Sequence, residues 1–244
     1  MRQLRKLDNL TGYHLRASDG EIGKLTQIYF DDQYQIVRYF VVRTGRWLLG
    51  KDVLIVPAVI TGVDENSRHL EVKLTREEIK NSPPISTKLP VSRLYEKKYY
   101  GYYGWEPYWS GDPLLGAMPA LPPLAEEAQT KESEAPDLRS SDEVIGYHIH
   151  ARNGEIGRVT DFILEDQDWK IRYLEIDTSH WRSGKKVLIS VPWIRDIDWL
   201  KKEVTVDLTC DLIQSAPEYD ESQVISRDYQ LALFKHYGMA FDQE

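Results

Sequence analysis

Six histidines, one cysteine and 39 carboxylates are the raw material for chemistry in this 244-residue chain. His148 and His150 stand two apart, on one face of any strand, a geometry that can aim two imidazoles at one metal ion. His14 is the equivalent of His148 in an earlier copy of the same motif. There, Arg16 stands where His150 does, no cysteine is near, and spacing marks no third ligand. The reading is no metal and no cofactor, with the histidines part-buried or at an interface. Glu21 and Glu155, and Asp32 and Asp166, recur as pairs, but at strand starts and turns, where polarity and edge charge account for them without acid–base work. Cys210 follows Thr209 at a helix start, where amide groups can lower a thiol pKa, yet Arg76 takes its place in the other copy. It reads as an ordinary small residue, and a single cysteine excludes an internal disulfide and any cysteine-based metal cluster. No phosphate-binding loop, nucleophile elbow or His-Glu-x-x-His motif occurs. No catalytic residue is assigned, and the chain is expected not to be an enzyme.

Aromatic residues carry the stronger functional signal. Tyr95, Tyr99, Tyr100, Tyr102, Tyr103, Trp105, Tyr108 and Trp109 fall in one short segment. Part of this is a helix stripe, because Tyr95, Tyr99 and Tyr103 are spaced by four. The excess is not repeated, since Trp105-Glu-Pro-Tyr-Trp109 aligns with Met239-Ala-Phe-Asp-Gln243. Tyrosine and tryptophan cover large area at modest entropic cost. Tyr99, Tyr102, Tyr103, Trp105, Tyr108 and Trp109 are therefore the expected partner-binding residues, docking on the second copy or on another chain. Base stacking on these rings, beside Arg93, Lys97 and Lys98, is a weaker reading.

The elements that must position these groups occur twice. At an offset of 134, Gly12-Tyr-His-Leu-Arg-Ala-Ser-Asp-Gly-Glu-Ile-Gly23 matches Gly146-Tyr-His-Ile-His-Ala-Arg-Asn-Gly-Glu-Ile-Gly157. About 20 of the 44 positions from Gly12 to Ile55 are identical to their partners, including Arg38-Tyr39/Arg172-Tyr173, Trp47/Trp181 and Gly50-Lys51/Gly184-Lys185. With one slipped residue Pro57 pairs with Pro192. Residues 1–110 and 143–244 form the two copies. Between them, 111–142 holds five prolines and a run of glutamates, and reads as a Pro-rich acidic linker.

Within each copy the pattern predicts short strands: Tyr13–Ala17, Glu21–Phe30, Val37–Thr44, Val53–Val56, Gly62–Asp64 and His69–Lys73, with counterparts in the second copy. Ser18-Asp19-Gly20 and Asn153-Gly154 mark hairpin turns. Gly23 and Gly157, inside a strand, mark a bulge or a close approach of backbones. Gly20, Gly23, Trp47, Pro57, Gly154, Gly157, Trp181 and Pro192 are the recurring structural positions. Thr75-Arg-Glu-Glu78 predicts a capped helix, and Ser92 and Ser226 predict N-caps of longer ones that end at Gly104 and Gly238.

The run Gly-x-x-(Leu/Ile)-x-x-x-(Asp/Asn)-Gly-Glu-Ile-Gly-(Lys/Arg)-(Leu/Val), followed by a polar turn, Arg-Tyr-(Phe/Leu) and an apolar strand ending in Pro, resembles the PRC-barrel family. The family includes the cytoplasmic barrel of the photosynthetic reaction centre H subunit and the C-terminal domain of the ribosome maturation factor. The resemblance implies a mainly β chain of two tandem small antiparallel β-barrels, each followed by short α-helices, with no catalytic residues. It implies a non-catalytic protein-interaction or scaffolding module. The expected partner is a protein: a membrane-associated, reaction-centre-like complex met from the cytoplasmic side, with a ribosome- or RNA-associated assembly role as the alternative.

Charge sharpens that expectation. The total of −8 disfavours a broad nucleic-acid surface, yet residues 1–110 carry 17 basic against 13 acidic groups and 143–244 carry 12 against 19. Opposite signs on homologous copies favour contact between repeats or in a homodimer. Met1–Leu10 has no apolar leader core and no window approaches a membrane span, so the expected location is the cytoplasm.

Overall fold

The computed structural model describes residues 3–83, 91–110, 118–119, 138–179 and 184–241. Its elements run β1 (Leu4–Lys6), α1 (Leu7–Leu10), β2 (His14–Ala17), β3 (Gly20–Asp31), β4 (Ile36–Thr44), β5 (Asp52–Ile55), β6 (Ile60–Asp64), β7 (His69–Val72), α2 (Arg76–Asn81), α3 (Arg93–Tyr103), β8 (Trp105–Glu106) and β9 (Met118–Pro119). The series repeats as β10 (Leu138–Ser140), α4 (Ser141–Val144), β11 (His148–Ala151), β12 (Gly154–Glu165), β13 (Ile171–Asp177), β14 (Lys186–Ser190), β15 (Ile194–Asp198), β16 (Glu203–Val206), α5 (Cys210–Gln214) and α6 (Arg227–Tyr237). Most of the linker and Trp181 lie outside the described residues.

Two compact units result. One is Asn9–Asp142; the other joins Met1–Asp8 to Glu143–Glu244. In the first, the strand order is β5-β4-β3-β2-β7-β6, with β10 on the far end of β3; in the second it is β14-β13-β12-β11-β16-β15, with β1 on β12. The chain is mainly β, but two features depart from the expected antiparallel barrels. The sheets do not close, and β2–β7 and β11–β16 pair in parallel. Turn residues encode antiparallel neighbours that are adjacent in sequence. The β2–β7 pairing joins strands some 50 residues apart, and no turn signal records it.

Local signals act where they were expected. Gly20 adopts φ +143° in the β2–β3 turn, a conformation open to glycine but not to side-chain-bearing residues. Thr75 and Glu78 form a reciprocal capping box, Ser92 and Ser226 accept hydrogen bonds from the Tyr95 and Tyr229 amides, and Gly104 and Gly238 end α3 and α6 in the left-handed conformation. Pro57 and Pro192 lie in 3-10 turns immediately after β5 and β14, because proline cannot extend a central ladder. In β4, Ile36, Val37, Tyr39, Phe40, Val41 and Val42 are all buried, so this strand is covered on both faces.

The short strands β1 and β10 were not anticipated. Leu4, Arg5 and Lys6 pair with Glu165, Leu164 and Ile163, while the homologous Leu138, Arg139 and Ser140 pair with Asp31, Phe30 and Tyr29. Each repeat's leading strand thus completes the sheet built by the other repeat. The recurring carboxylates tie this exchange down: Asp166 accepts from Arg5 Nε at 3.0 Å and from the Gln3 amide, and Asp32 pairs with Arg139 at 3.5 Å.

Helix α3 closes the first unit over a buried carboxylate. Glu96 is 1% exposed, accepts hydrogen bonds from Tyr39 and Tyr108 at 2.9 and 3.1 Å, and pairs with Arg93. Burial pushes its carboxyl up to about 7, against the opposing pull of Arg93 and the two hydroxyls. The second copy makes the same bond with a neutral amide, Tyr173 donating to Gln230 Oε1 at 3.0 Å. A carboxyl whose pKa is higher in the folded than in the unfolded chain stabilises fully below about pH 4.5, and the contribution is lost as pH rises through about 7. Urea unfolding at pH 5 and pH 8 should show the first unit losing about 3 kcal/mol across that window. Glu96→Gln should flatten the dependence, and an unaltered pH slope in that variant would refute the assignment.

Candidate functional site

A groove suited to a ligand lies in the first unit. It encloses ≈ 760 Å³ and is bordered by the β2–β3 hairpin, the end of β4, the 3-10 turn Arg46–Leu48 and the start of α2. Trp47 is half-buried in its wall, and its indole N–H is fixed on the Ile22 carbonyl at 2.6 Å. Arg76, the first residue of α2, lies with its guanidinium 4.5 Å from the centre of the Trp47 ring. The Arg76 amide is held by Asp19 at 2.7 Å, while its Nε is buried without a hydrogen-bond partner among the described residues.

Cations dominate this groove. Lys24, Arg43, Arg46 and Arg76 line it against one carboxylate, Glu21. Arg43 is paired with Asp52, whereas Lys24 and Arg46 have no ion-pair partner among the described residues. In the second copy, Arg43, Arg46 and Arg76 are replaced by Asp177, His180 and Cys210. These three positions account for four of the eleven charge units by which residues 1–110 and 143–244 differ.

Gly23 explains how the groove floor forms. A Cβ on Gly23 would lie 2.1 Å from the Arg43 carbonyl oxygen, and one on Gly157 would lie 2.2 Å from that of Asp177. These are the close backbone approaches that an interior strand glycine signals. They let β3 and β4 draw together at the groove.

The aromatic segment has a different fate. Tyr99 and Tyr108 are buried, Tyr103, Trp105 and Trp109 are half-buried, and Tyr102 is exposed. The segment after α3 folds back on its own helix. Trp105 stacks on Tyr103 at 4.3 Å, Trp109 meets Tyr100 edge-on, and Arg93 sits 3.9 Å above the Trp109 ring. Tyr99 donates to the Leu54 carbonyl and Tyr102 to that of Glu78. Tyr99 and Tyr108 have no surface to offer a partner, whereas Tyr102, Tyr103, Trp105 and Trp109 keep accessible surface. The reason is Glu96: Tyr108 must reach inward to satisfy a carboxylate that Gln230 replaces in the second copy.

The remaining candidates are structural in placement. Cys210 is buried, with Sγ 3.5 Å from the Gly154 carbonyl, and burial pushes its thiol up. His148 pairs with Glu155, and His150 with Glu203 at 3.5 Å, as two separate contacts.

Comparison with known families decides the kinship. A family model described as the PRC-barrel domain matches residues 4–79 and again residues 136–213. The chain belongs to the PRC-barrel family. No curated protein matches it. PRC-barrel domains are generally protein-interaction modules and typically non-catalytic. Each match begins at or before the exchanged strand, β1 or β10, and ends in the helix after the last hairpin, α2 or α5. Among the described residues no helix is long and apolar enough to cross a membrane. The groove residues Lys24, Arg46 and Arg76 escaped the reading of this PRC-barrel sequence because they are scattered along it. Arg46 and Arg76 carried a signal, since the second copy has His180 and Cys210 there, whereas Lys24 is matched by the cationic Arg158.

Proposed function

We propose that this tandem PRC-barrel chain is a protein-interaction module whose first unit takes an acidic segment of a partner protein into the groove beside Trp47. The observation that carries this reading is that Lys24, Arg43, Arg46 and Arg76 line one groove with Trp47, where Glu21 is the one carboxylate in the lining and Arg43 is already paired with Asp52. A basic groove with an aromatic wall suits a peptide that alternates carboxylates with apolar side chains. The expected partner class is a membrane-associated complex of reaction-centre type, with a ribosomal particle as the alternative. Tyr102, Trp105 and Trp109 are a secondary contact surface in the same unit.

Fluorescence polarisation of a labelled acidic peptide measures the binding directly. Arg46→Glu, at an exposed position in a 3-10 turn, should weaken it at least tenfold, because a carboxylate then faces carboxylates. Binding by the unaltered chain should also fall as salt rises. Equal affinity in Arg46→Glu, or no binding to the unaltered chain, would overturn the proposal. Affinity capture from native cells then distinguishes a membrane complex from a ribosomal particle, and either must be lost with Arg46→Glu.

A further inference from the structure

The parallel pairing of β2 with β7 brings together three side chains that the sequence keeps apart. His14 and His69 are direct ladder partners, their ring centres 5.6 Å apart, and Glu21 reaches across from the next strand. Glu21 Oε2 is 3.3 Å from His14 Nδ1, and Glu21 Oε1 is 3.2 Å from His69 Nε2. All three donor atoms lie within 4.8 Å of one another.

Hydrogen bonding fixes which nitrogen of His69 faces this cluster as a lone pair. His69 Nδ1 is 2.7 Å from the Ser67 carbonyl oxygen, which can only accept. Ser67 Oγ, at 2.9 Å, commits its own proton to Asp64 Oδ2 at 2.6 Å, so it too must accept from His69. Nδ1 therefore carries the proton. In a neutral imidazole Nε2 is then a bare lone pair, and it points at a carboxylate oxygen that is also an acceptor. Two acceptors in contact repel unless a proton or a metal ion lies between them, and either can bridge Nε2 and Oε1.

We infer that His14, Glu21 and His69 form a binding site for a divalent transition-metal ion of the zinc class. Two imidazoles and a carboxylate are a ligand set of catalytic-type zinc sites, which leave a fourth position for water or another donor. With bonds of about 2.0–2.1 Å, tetrahedral ligand atoms lie ~3.3 Å apart, and each histidine nitrogen stands at about that distance from one of the two Glu21 oxygens. The Ser67 carbonyl supplies the outer hydrogen bond that orients a metal-bound histidine through its other nitrogen. The second copy lacks this arrangement: Glu203 stands at the place of His69, and no third ligand joins a pair there among the described residues. The site does not depend on what the groove binds, although His14 and Glu21 also border it.

Calorimetric titration of the full chain with zinc chloride tests the assignment. One zinc per chain is expected. Both His14→Ala and His69→Glu, the latter copying Glu203, should weaken it at least tenfold while circular dichroism stays unchanged. His148→Ala should leave it intact. Cobalt substituted for zinc should give the visible absorption of a tetrahedral ion. Absence of one-per-chain binding, its survival in a His14→Ala/His69→Ala double variant, or its loss in His148→Ala would each overturn the site.

Discussion

Replacing Lys6 with methionine should destabilise the second unit by about 3–5 kcal/mol, the cost of leaving buried carboxylates without their cation. Lys6 lies on β1, the strand contributed from the start of the chain, and its ammonium sits 3.0 Å from Glu175 and 3.7 Å from Asp161, with Glu221 also bound. Asp161 and Glu175 are 2% and 0% exposed. Burial alone would pull the ammonium down, but Glu221 and Glu175 hold it well above the usual lysine range. Lys186 closes the cluster by pairing with Glu175 at 2.9 Å and Glu221 at 2.7 Å.

The position homologous to Lys6 in the first unit carries no charge. Ser140 stands for Lys6 and donates to Gln27, which stands for Asp161, while Val41 stands for Glu175. Docked on its own repeat, β1 would place Lys6 against Gln27 and Val41. Docked on the second, β10 would leave Asp161 and Glu175 facing a serine. The mismatch costs several kcal/mol in either case, so the side chains at these positions select the exchanged pairing. The triple variant Lys6→Ser/Asp161→Gln/Glu175→Val places the first unit's neutral residues at these positions and should recover more than half of the loss. Urea unfolding measures both, and a Lys6→Met protein within about 1 kcal/mol of the parent would sink the argument.

Gly157→Ala should cost the second unit about 3 kcal/mol or more, because the new methyl would lie 2.2 Å from the Asp177 carbonyl oxygen, an atom of the β13 backbone that cannot swing aside. Gly23→Ala should do the same to the first unit, where the contact is 2.1 Å and involves Arg43. The two variants should affect separate unfolding transitions. Gly23→Ala should also weaken the groove, since Gly23 and Arg43 both line it. Gly62→Ala, where nothing lies within 4 Å of the added carbon, is the control expected to change stability by under about 0.5 kcal/mol. Equal thermal midpoints for Gly23→Ala and Gly62→Ala would show that the sheet relaxes around the methyl.

Recurrence made much of the architecture legible. Caps, turns and strand-ending prolines act through neighbours a few residues away, so Ser92, Gly104, Gly20 and Pro57 could be placed from sequence. Glycine inside a strand likewise announced a close approach at Gly23 before its partner was known. Trp105 and Trp109 were harder. Their apolar surface was plain, but the sequence could not show that Tyr108 turns inward to a buried Glu96, drawing the segment onto its own helix.

The residues whose types first suggested chemistry mark the same boundary. His14 and Glu21 are close in sequence but read there separately and without a metal role, and His69 becomes their neighbour only through the parallel β2–β7 ladder. Lys6 acquires its partners only because β1 lies in the other repeat's sheet. Short-range hydrogen bonding and steric rules fix turns, caps and strand ends, and these are written in consecutive residues. Which distant strands pair depends on burying apolar faces and neutralising buried charge across the whole fold, so the sequence determined two PRC-barrel repeats, and the tertiary structure alone decided the strand exchange, the basic groove and the His-Glu-His cluster.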